Sequence, residues 1–150
     1  MALTINQLYL LKGLEIAGKI ECKTKFQKLI FLAQTEERAL TTYKFEKYHY
    51  GPFSFDLSDD IEALSKTGFV REEVVGYGSS SGKLMIKHTF SLTPDGKKEL
   101  QVSEHNLDKT GVQAISSSVK KWNSAQLDKV LKYVYGKYMN DNNRELAVAK

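Results

Sequence analysis

Apolar residues recur at helical spacing near the start of this chain, behind a recognisable capping motif. Thr4-x-x-Gln7 has the form of a capping box, in which the hydroxyl accepts an early backbone N–H and the amide reaches back. A wide apolar face follows it, and Gly18 is a residue type favoured just beyond a helix C-terminus. The pattern therefore predicts a helix over about residues 4–17.

A second helical stretch begins at another box, Thr24-x-x-Gln27. The apolar residues that follow occupy positions i, i+3, i+4 and i+7, which is one face of a helix with 3.6 residues per turn. We expect this helix to run to about residue 37. Lys25 and Lys28 are expected to lie off its apolar face.

The middle of the chain changes from a strand pattern to a helix pattern. Residues 41–50 are rich in Thr, Tyr and Phe and favour a strand, which Gly51-Pro52 is expected to end. Ser54 is a good N-cap for a third helix, and Gly68 suits the left-handed position that closes it. A helix between these two residues is therefore predicted.

Two extended segments follow the third helix. They are VREEVVGY (70–77) and KLMIKHTFSL (83–92), and the Gly/Ser-rich link between them predicts a β-hairpin. Thr93-Pro94-Asp95 then begins another helix. The threonine is an N-cap, the proline lacks an N–H that the first turn does not use, and the acid lies at the positive end of the helix.

The length and the C-terminal pattern predict the domain organisation. A chain of 150 residues suits one principal domain with a core large enough to fold without disulfides or metal. We expect this domain over 1–102, a linker over 103–111, two amphipathic helices over 112–139 and a frayed tail over 140–150. The apolar stripe of the two helices either packs on the first helix or pairs with a second copy in a homodimer.

The predicted order of elements is that of a winged helix-turn-helix. The expected fold class is therefore α+β, with a three-helix core, a β-hairpin wing and a C-terminal helical extension. The exit from the hairpin, Leu92-Thr93-Pro94-Asp95-Gly96, resembles the Leu-Thr-x-x-Gly signature that follows the wing in many winged-helix regulators.

Two motifs carry a narrower resemblance. Residues 25–31 (KFQKLIF) and 48–54 (YHYGPFS) resemble the K-x-Q-K-L and Y-G-P motifs of the YwgA-like and Panacea (SocA-like antitoxin) domains of prokaryotes and archaea. The ending LKYVY (131–135) resembles a further motif of such chains. The resemblance implies a winged-helix-like domain with no established enzyme chemistry. For Panacea domains it also implies an antitoxin role with a protein partner.

Composition disfavours several classes of protein. The 41% hydrophobic and 27% charged residues are ordinary globular values, and no stretch approaches the ~18 apolar residues of a membrane span. Cys22 is alone and cannot form an internal disulfide, so we expect a cytoplasmic protein without membrane association. The three histidines are isolated from Cys22, and no phosphate-binding or nucleophile-elbow motif occurs. We therefore expect no metal, no cofactor and no enzymatic activity.

The net charge of +4 is unevenly distributed. Residues 1–50 carry 8 basic and 5 acidic side chains, whereas residues 51–75 carry 2 basic and 6 acidic ones. Basic ends favour a polyanion, so one hypothesis is a transcriptional regulator that binds double-stranded DNA through a basic wing. The expected nucleic-acid contacts are Lys23, Lys25, Lys28, Ser54, Ser58, Lys83, Lys87 and His88, with Ser79, Ser80 and Ser81 as donors to phosphate.

The third helix conflicts with this DNA hypothesis. In a helix-turn-helix it would enter the major groove, where carboxylates facing phosphates are repelled. Its non-core positions carry a single lysine, Lys66, and four acids: Asp56, Asp59, Asp60 and Glu62. The alternative hypothesis is a protein-interaction or antitoxin-type adaptor module that presents this acidic helix to a basic partner and does not bind DNA.

Overall fold

This chain combines helices with two antiparallel sheets, and its computed structural model describes residues 2–78 and 81–139. In chain order the elements are α1 (Ile5–Ala17), β1 (Ile20–Glu21), α2 (Lys23–Glu36), β2 (Glu46–Tyr48), β3 (Gly51–Phe53), α3 (Phe55–Lys66), β4 (Val70–Gly78), β5 (Leu84–Leu92), α4 (Pro94–Ser103), a 3₁₀ turn (Glu104–Asn106), α5 (Lys109–Trp122) and α6 (Leu127–Tyr138). The α+β class is confirmed.

Local signals place three helix starts correctly. The Thr4 and Gln7 capping box forms at the start of α1, Ser54 accepts from the backbone N–H of Leu57 at 3.1 Å, and Thr93 accepts from that of Gly96 at 2.9 Å. The second predicted capping box is wrong. The N-cap of α2 is Cys22, which makes no side-chain capping bond.

The larger sheet contains the predicted hairpin. Its strand order is β1-β5-β4, with β4 and β5 paired from Val70 opposite Leu92 to Gly78 opposite Leu84. The predicted hairpin is therefore confirmed in the described residues, and Ser79 and Ser80 lie outside them. The two-residue strand β1 is too short to have a periodic pattern, and the sequence analysis missed it.

The predicted strand over 41–50 is wrong in its extent. β2 covers Glu46–Tyr48, and β3 continues the pairing through Pro52 instead of ending there. Gly51 has a φ of +98°, which lets the chain turn, and a two-stranded sheet tolerates proline because one side of each strand needs no ladder. Tyr43 is buried without a strand partner because Gln34 bonds both its backbone N–H and its carbonyl.

The C-terminal helices belong to the same core as the rest of the chain. Ile115 and Val119 of α5 are buried in a cluster with residues of α1, α2, α3, the larger sheet and α4. Val130, Val134 and Tyr138 of α6 pack with residues of α2 in an adjoining cluster. Of the two expectations for residues 112–139, packing inside the molecule is therefore observed, and it covers the apolar stripe that a dimer through these helices would use.

The expected linker is an ordered connection. Asp108 caps α5 by accepting from the backbone N–H of Thr110 at 2.8 Å, and its own N–H donates to the Tyr9 hydroxyl at 3.2 Å. Leu107 packs against the main core. The expected boundary at 103–111 is therefore wrong, because one core spans it. The expected frayed tail over 140–150 lies outside the described residues.

Candidate interaction surface

The motif around Gln27 is a structural joint between α2 and α3. The Gln27 side-chain amide donates to the carbonyl of Ser54 at 2.9 Å, and its oxygen accepts from the Ser54 N–H at 2.9 Å. Ser54 is fully buried, and its hydroxyl caps α3. The expectation that Ser54 contacts nucleic acid is therefore corrected, because its polar groups are used inside the fold.

Lys25 and Lys28 are also internal. The Lys25 ammonium donates to the carbonyls of Asn123 and Ala125 at 2.9 and 2.6 Å, where α5 ends. The Lys28 ammonium donates to the Pro52 carbonyl at 2.8 Å, and burial lowers the pKa of this lysine to about 8. The expectation that both lysines are exposed nucleic-acid contacts is wrong, because both side chains are buried and their ammonium groups donate to backbone carbonyls.

The basic residues of the long hairpin, formed by β4 and β5, have acidic neighbours. The Lys87 ammonium lies 2.5 Å from a Glu21 carboxylate oxygen, and this hydrogen bond raises the pKa of Lys87. His88 Nδ1 lies 2.6 Å from a Glu72 carboxylate oxygen. Lys83 is exposed beside the start of β5, and Lys23 is exposed at the start of α2. The positive charge of the hairpin is thus partly offset.

A groove of about 1090 Å³ separates the hairpin from the start of α2 and the α5–α6 turn. Lys19, Lys23 and Lys87 line it together with Glu21 and Tyr77.

Across residues 2–78 and 81–139, no cluster of three His, Cys, Asp or Glu side chains has a geometry that would hold a metal ion. The same residues include no helix long and apolar enough to cross a bilayer.

The exposed face of α3 is acidic. Phe55, Asp59 and Glu62 are spaced i, i+4 and i+7, so they share one side of the helix. Asp56 is exposed beside them, and Glu62 pairs with Lys66 at 2.8 Å across one helical turn. Asp59, Glu62, Ala63 and Lys66 line a shallow depression of about 240 Å³.

Two residues of α3 that were predicted to make contacts, Ser58 and Asp60, are less exposed than that face. Asp60 is half-buried and accepts from the Tyr43 hydroxyl at 2.6 Å and from the Gln7 amide at 3.2 Å. Burial and this carboxylate together raise the pKa of Tyr43. Asp60 therefore joins α3 to α1 and to the preceding loop, which corrects its assignment as a partner contact. Ser58 is half-buried on the same helix.

An exposed aromatic cluster adjoins the start of α3. The ring centroids of Tyr48, Phe53 and Phe55 lie 5.0–5.4 Å from one another, and His49 lies 4.4 Å from Tyr48. Tyr48 is 45% exposed and Phe55 is 48% exposed. The sequence analysis missed this cluster because it treated residues 41–50 as one strand. The density of aromatic residues between 48 and 55 was the available signal.

Comparison with known proteins supports part of the expected resemblance. The chain is 27% identical over 139 residues to the uncharacterized protein YwgA of Bacillus subtilis (strain 168), which covers 91% of this chain and 77% of that protein. No protein-family profile matches the chain. No solved structure matches it. A YwgA-like relationship is thus supported, and it brings no function with it.

Proposed function

We propose that this chain is a protein-interaction module, built on a winged-helix-like scaffold, that docks a basic segment of a partner protein. The docking site is the acidic–aromatic surface, defined here as Tyr48, Phe53, Phe55, Asp56, Asp59 and Glu62. The antitoxin role that the resemblance to Panacea domains implies would be one form of such an adaptor function.

The order of elements supports the winged-helix part of the proposal. α1, β1, α2, α3, β4 and β5 follow one another as in a winged helix-turn-helix, and the sheet order β1-β5-β4 places the first strand beside the last. In that comparison α3 occupies the position of the helix that enters a DNA groove. Here its outer face carries exposed carboxylates and one lysine, Lys66, which pairs with Glu62, so the face keeps a net negative charge that favours a cationic partner over phosphates.

The exposure of Phe55 beside Asp59 and Glu62 is the observation that carries the proposal. Aromatic side chains are enriched at the centres of protein interfaces because they bury a large area with little loss of conformational freedom. Carboxylates around them attract basic partners and set the orientation of docking. The rings also offer faces on which an arginine can stack. The surface therefore combines an apolar anchor with a negative rim.

Site-specific photo-crosslinking tests this proposal in cells that express the chain. A photoreactive phenylalanine analogue at Phe55 should cross-link a protein through a Lys/Arg-rich segment, as mass spectrometry of the product would show. The Asp59→Lys/Glu62→Lys variant should lose that product. The same analogue at Val102, which is 64% exposed on α4, is the matched control and should not form it. A product that survives the charge reversal, or none at all, would contradict the proposal.

A second candidate function, DNA binding by the hairpin, is favoured by the location of Lys83 and Lys87. Lys19 and Lys23 line the same groove as Lys87, where Glu21 pairs with both Lys19 and Lys87. If the hairpin makes the main contact with DNA, the Lys83→Glu/Lys87→Glu variant should bind duplex DNA more weakly and with a shallower salt dependence than the unmodified chain. Unchanged binding would remove the hairpin from this function.

A further inference from the structure

The outer half of the long hairpin exposes an apolar surface that neither proposed function uses. Six large apolar side chains there are 44–73% exposed: Val74, Val75, Tyr77, Leu84, Met85 and Ile86. Together they expose on the order of 500 Å² over the two faces of the hairpin, which is comparable to the largest apolar patch of a typical monomer, a kind of patch that is often functional. Both faces of the hairpin contribute, since Val74 and Val75 are neighbours along one strand and point to opposite sides.

The outer edge of β4 is open as well. β4 is the last strand in the order β1-β5-β4, so no described strand pairs with its far side. Long, exposed apolar edges are usually blocked by proline, an inward charge or a covering element. Residues 74–78, Val-Val-Gly-Tyr-Gly, contain neither proline nor charge. This edge therefore has the chemistry of a pairing surface.

We propose that this edge pairs with β4 of a second copy of the chain, antiparallel and about a two-fold axis. A strand that adds to the edge satisfies its backbone groups and lies in the plane of the hairpin, where its side chains flank those of β4 on both faces. The occupant must also be uncharged over about five positions, because residues 74–78 offer no charge to match. The same five residues of a second copy meet that requirement.

Charge along β4 supports this self-pairing. The charged residues Arg71, Glu72 and Glu73 all lie at the base of the strand, where β4 meets the core. A two-fold axis at Gly76 pairs residues 74–78 of the two copies and keeps the acidic bases of the two strands apart. Self-pairing of this kind is isologous and closes at two copies.

Charge-swapped variants test the pairing by sedimentation over a micromolar concentration range. The unmodified chain should be a dimer, whereas Val75→Lys/Tyr77→Lys and Val75→Glu/Tyr77→Glu should each be monomeric. Both positions lie on one face of β4, so mixing the two variants should restore a heterodimer. Val102→Lys, on exposed α4, is the control and should leave the dimer intact.

Three results would overturn the proposal: a monomeric unmodified chain, a lysine variant that still dimerises, or a mixture that stays monomeric. Circular dichroism checks that the variants fold.

Oxidative cross-linking gives a second measurement, independent of the charged variants. In a Cys22→Ser background, the double variant Val75→Cys/Tyr77→Cys should form a disulfide-linked dimer, because the pairing places position 75 of one copy opposite position 77 of the other. Val102→Cys should not form one, and equal cross-linking of the two variants would count against pairing through β4.

Discussion

The side chain of Gln27 bonds both backbone groups of Ser54, with each hydrogen bond 2.9 Å long. This arrangement fixes the start of α3 against the middle of α2. It also explains one part of the motif resemblance. The glutamine of K-x-Q-K-L has one amide donor and one amide acceptor, and their spacing lets them bond the carbonyl and the N–H of one residue. The motif thus positions the helix that carries Asp59 and Glu62.

Removing this side chain should destabilise the fold. Gln27→Ala leaves the buried N–H of Ser54 without a partner, which costs about 1–3 kcal/mol, while the Ser54 carbonyl keeps the bond from the N–H of Ser58. We expect a lower free energy of unfolding by roughly 1–3 kcal/mol in urea titrations. Gln113→Ala, at an exposed position of α5, is the control and should change it by less than about 0.5 kcal/mol. If both substitutions lowered the free energy of unfolding equally, the bonds from Gln27 to Ser54 would not stabilise the fold as described.

Lys28 should give the protein an unusual dependence of stability on alkaline pH. Its pKa is about 8 in the fold, below the ordinary value of 10.5, because burial disfavours the charged form. Below pH 8 the ammonium is protonated in both states. Between about pH 8 and 10.5 the folded chain loses this proton first, so stability should rise with pH by at most roughly 3 kcal/mol.

The substitution Lys28→Met isolates this effect. The variant retains all other titrating groups, including Tyr43, whose raised pKa opposes folding above about pH 10 in both proteins. Subtracting the two unfolding free energies, measured in urea at several pH values, should therefore reveal a gain for the unmodified chain between pH 8 and 10.5. Parallel pH profiles would show that Lys28 does not titrate in this range.

Gly96 should tolerate no side chain. A Cβ built there meets the carbonyl oxygen of Phe69, and Thr93 also bonds this segment through its N–H to Phe69 and its hydroxyl to Gly68. Gly96→Ala must displace backbone, so we expect a loss of about 1–3 kcal/mol or more in thermal or urea unfolding.

Gly136 provides the matched substitution. It lies within α6, and a Cβ there has open space around it. Gly136→Ala should therefore stabilise the chain by about 0.5–1 kcal/mol through helix propensity alone. If Gly96→Ala and Gly136→Ala both stabilised or both destabilised the chain, the close contact with Phe69 would not explain why the Leu-Thr-x-x-Gly segment has a glycine at position 96.

Features that depend on neighbours in sequence were predictable. The caps at Thr4, Ser54 and Thr93 and the pairing of the long hairpin follow from residues a few positions apart. Lys25 and Lys28 were not predictable in the same way. Asn123 and Ala125 lie about a hundred residues beyond Lys25, and a helical-spacing pattern cannot distinguish a solvated lysine from one that bonds a distant carbonyl.

The candidate site shows the same division. The acidic side of α3 follows from its helical period, and Asp56, Asp59 and Glu62 are exposed as expected. Asp60 is not on that exposed side, because Tyr43 reaches it from a loop that the sequence suggested was a strand. The aromatic cluster depends on a three-residue strand on each side of the turn at residues 49–50, and such short strands have little periodicity to detect.

Binding of a defined basic peptide tests the central claim most directly. A fluorescently labelled peptide of alternating arginine and leucine should bind the unmodified chain, more tightly at low salt than at high salt. Asp59→Lys/Glu62→Lys should weaken binding by about tenfold or more. Asp95→Lys/Asp128→Lys, which reverses two exposed acids on α4 and α6, should bind like the unmodified chain. Equal binding by all three proteins, or none by the unmodified chain, would contradict a docking role for the acidic–aromatic surface.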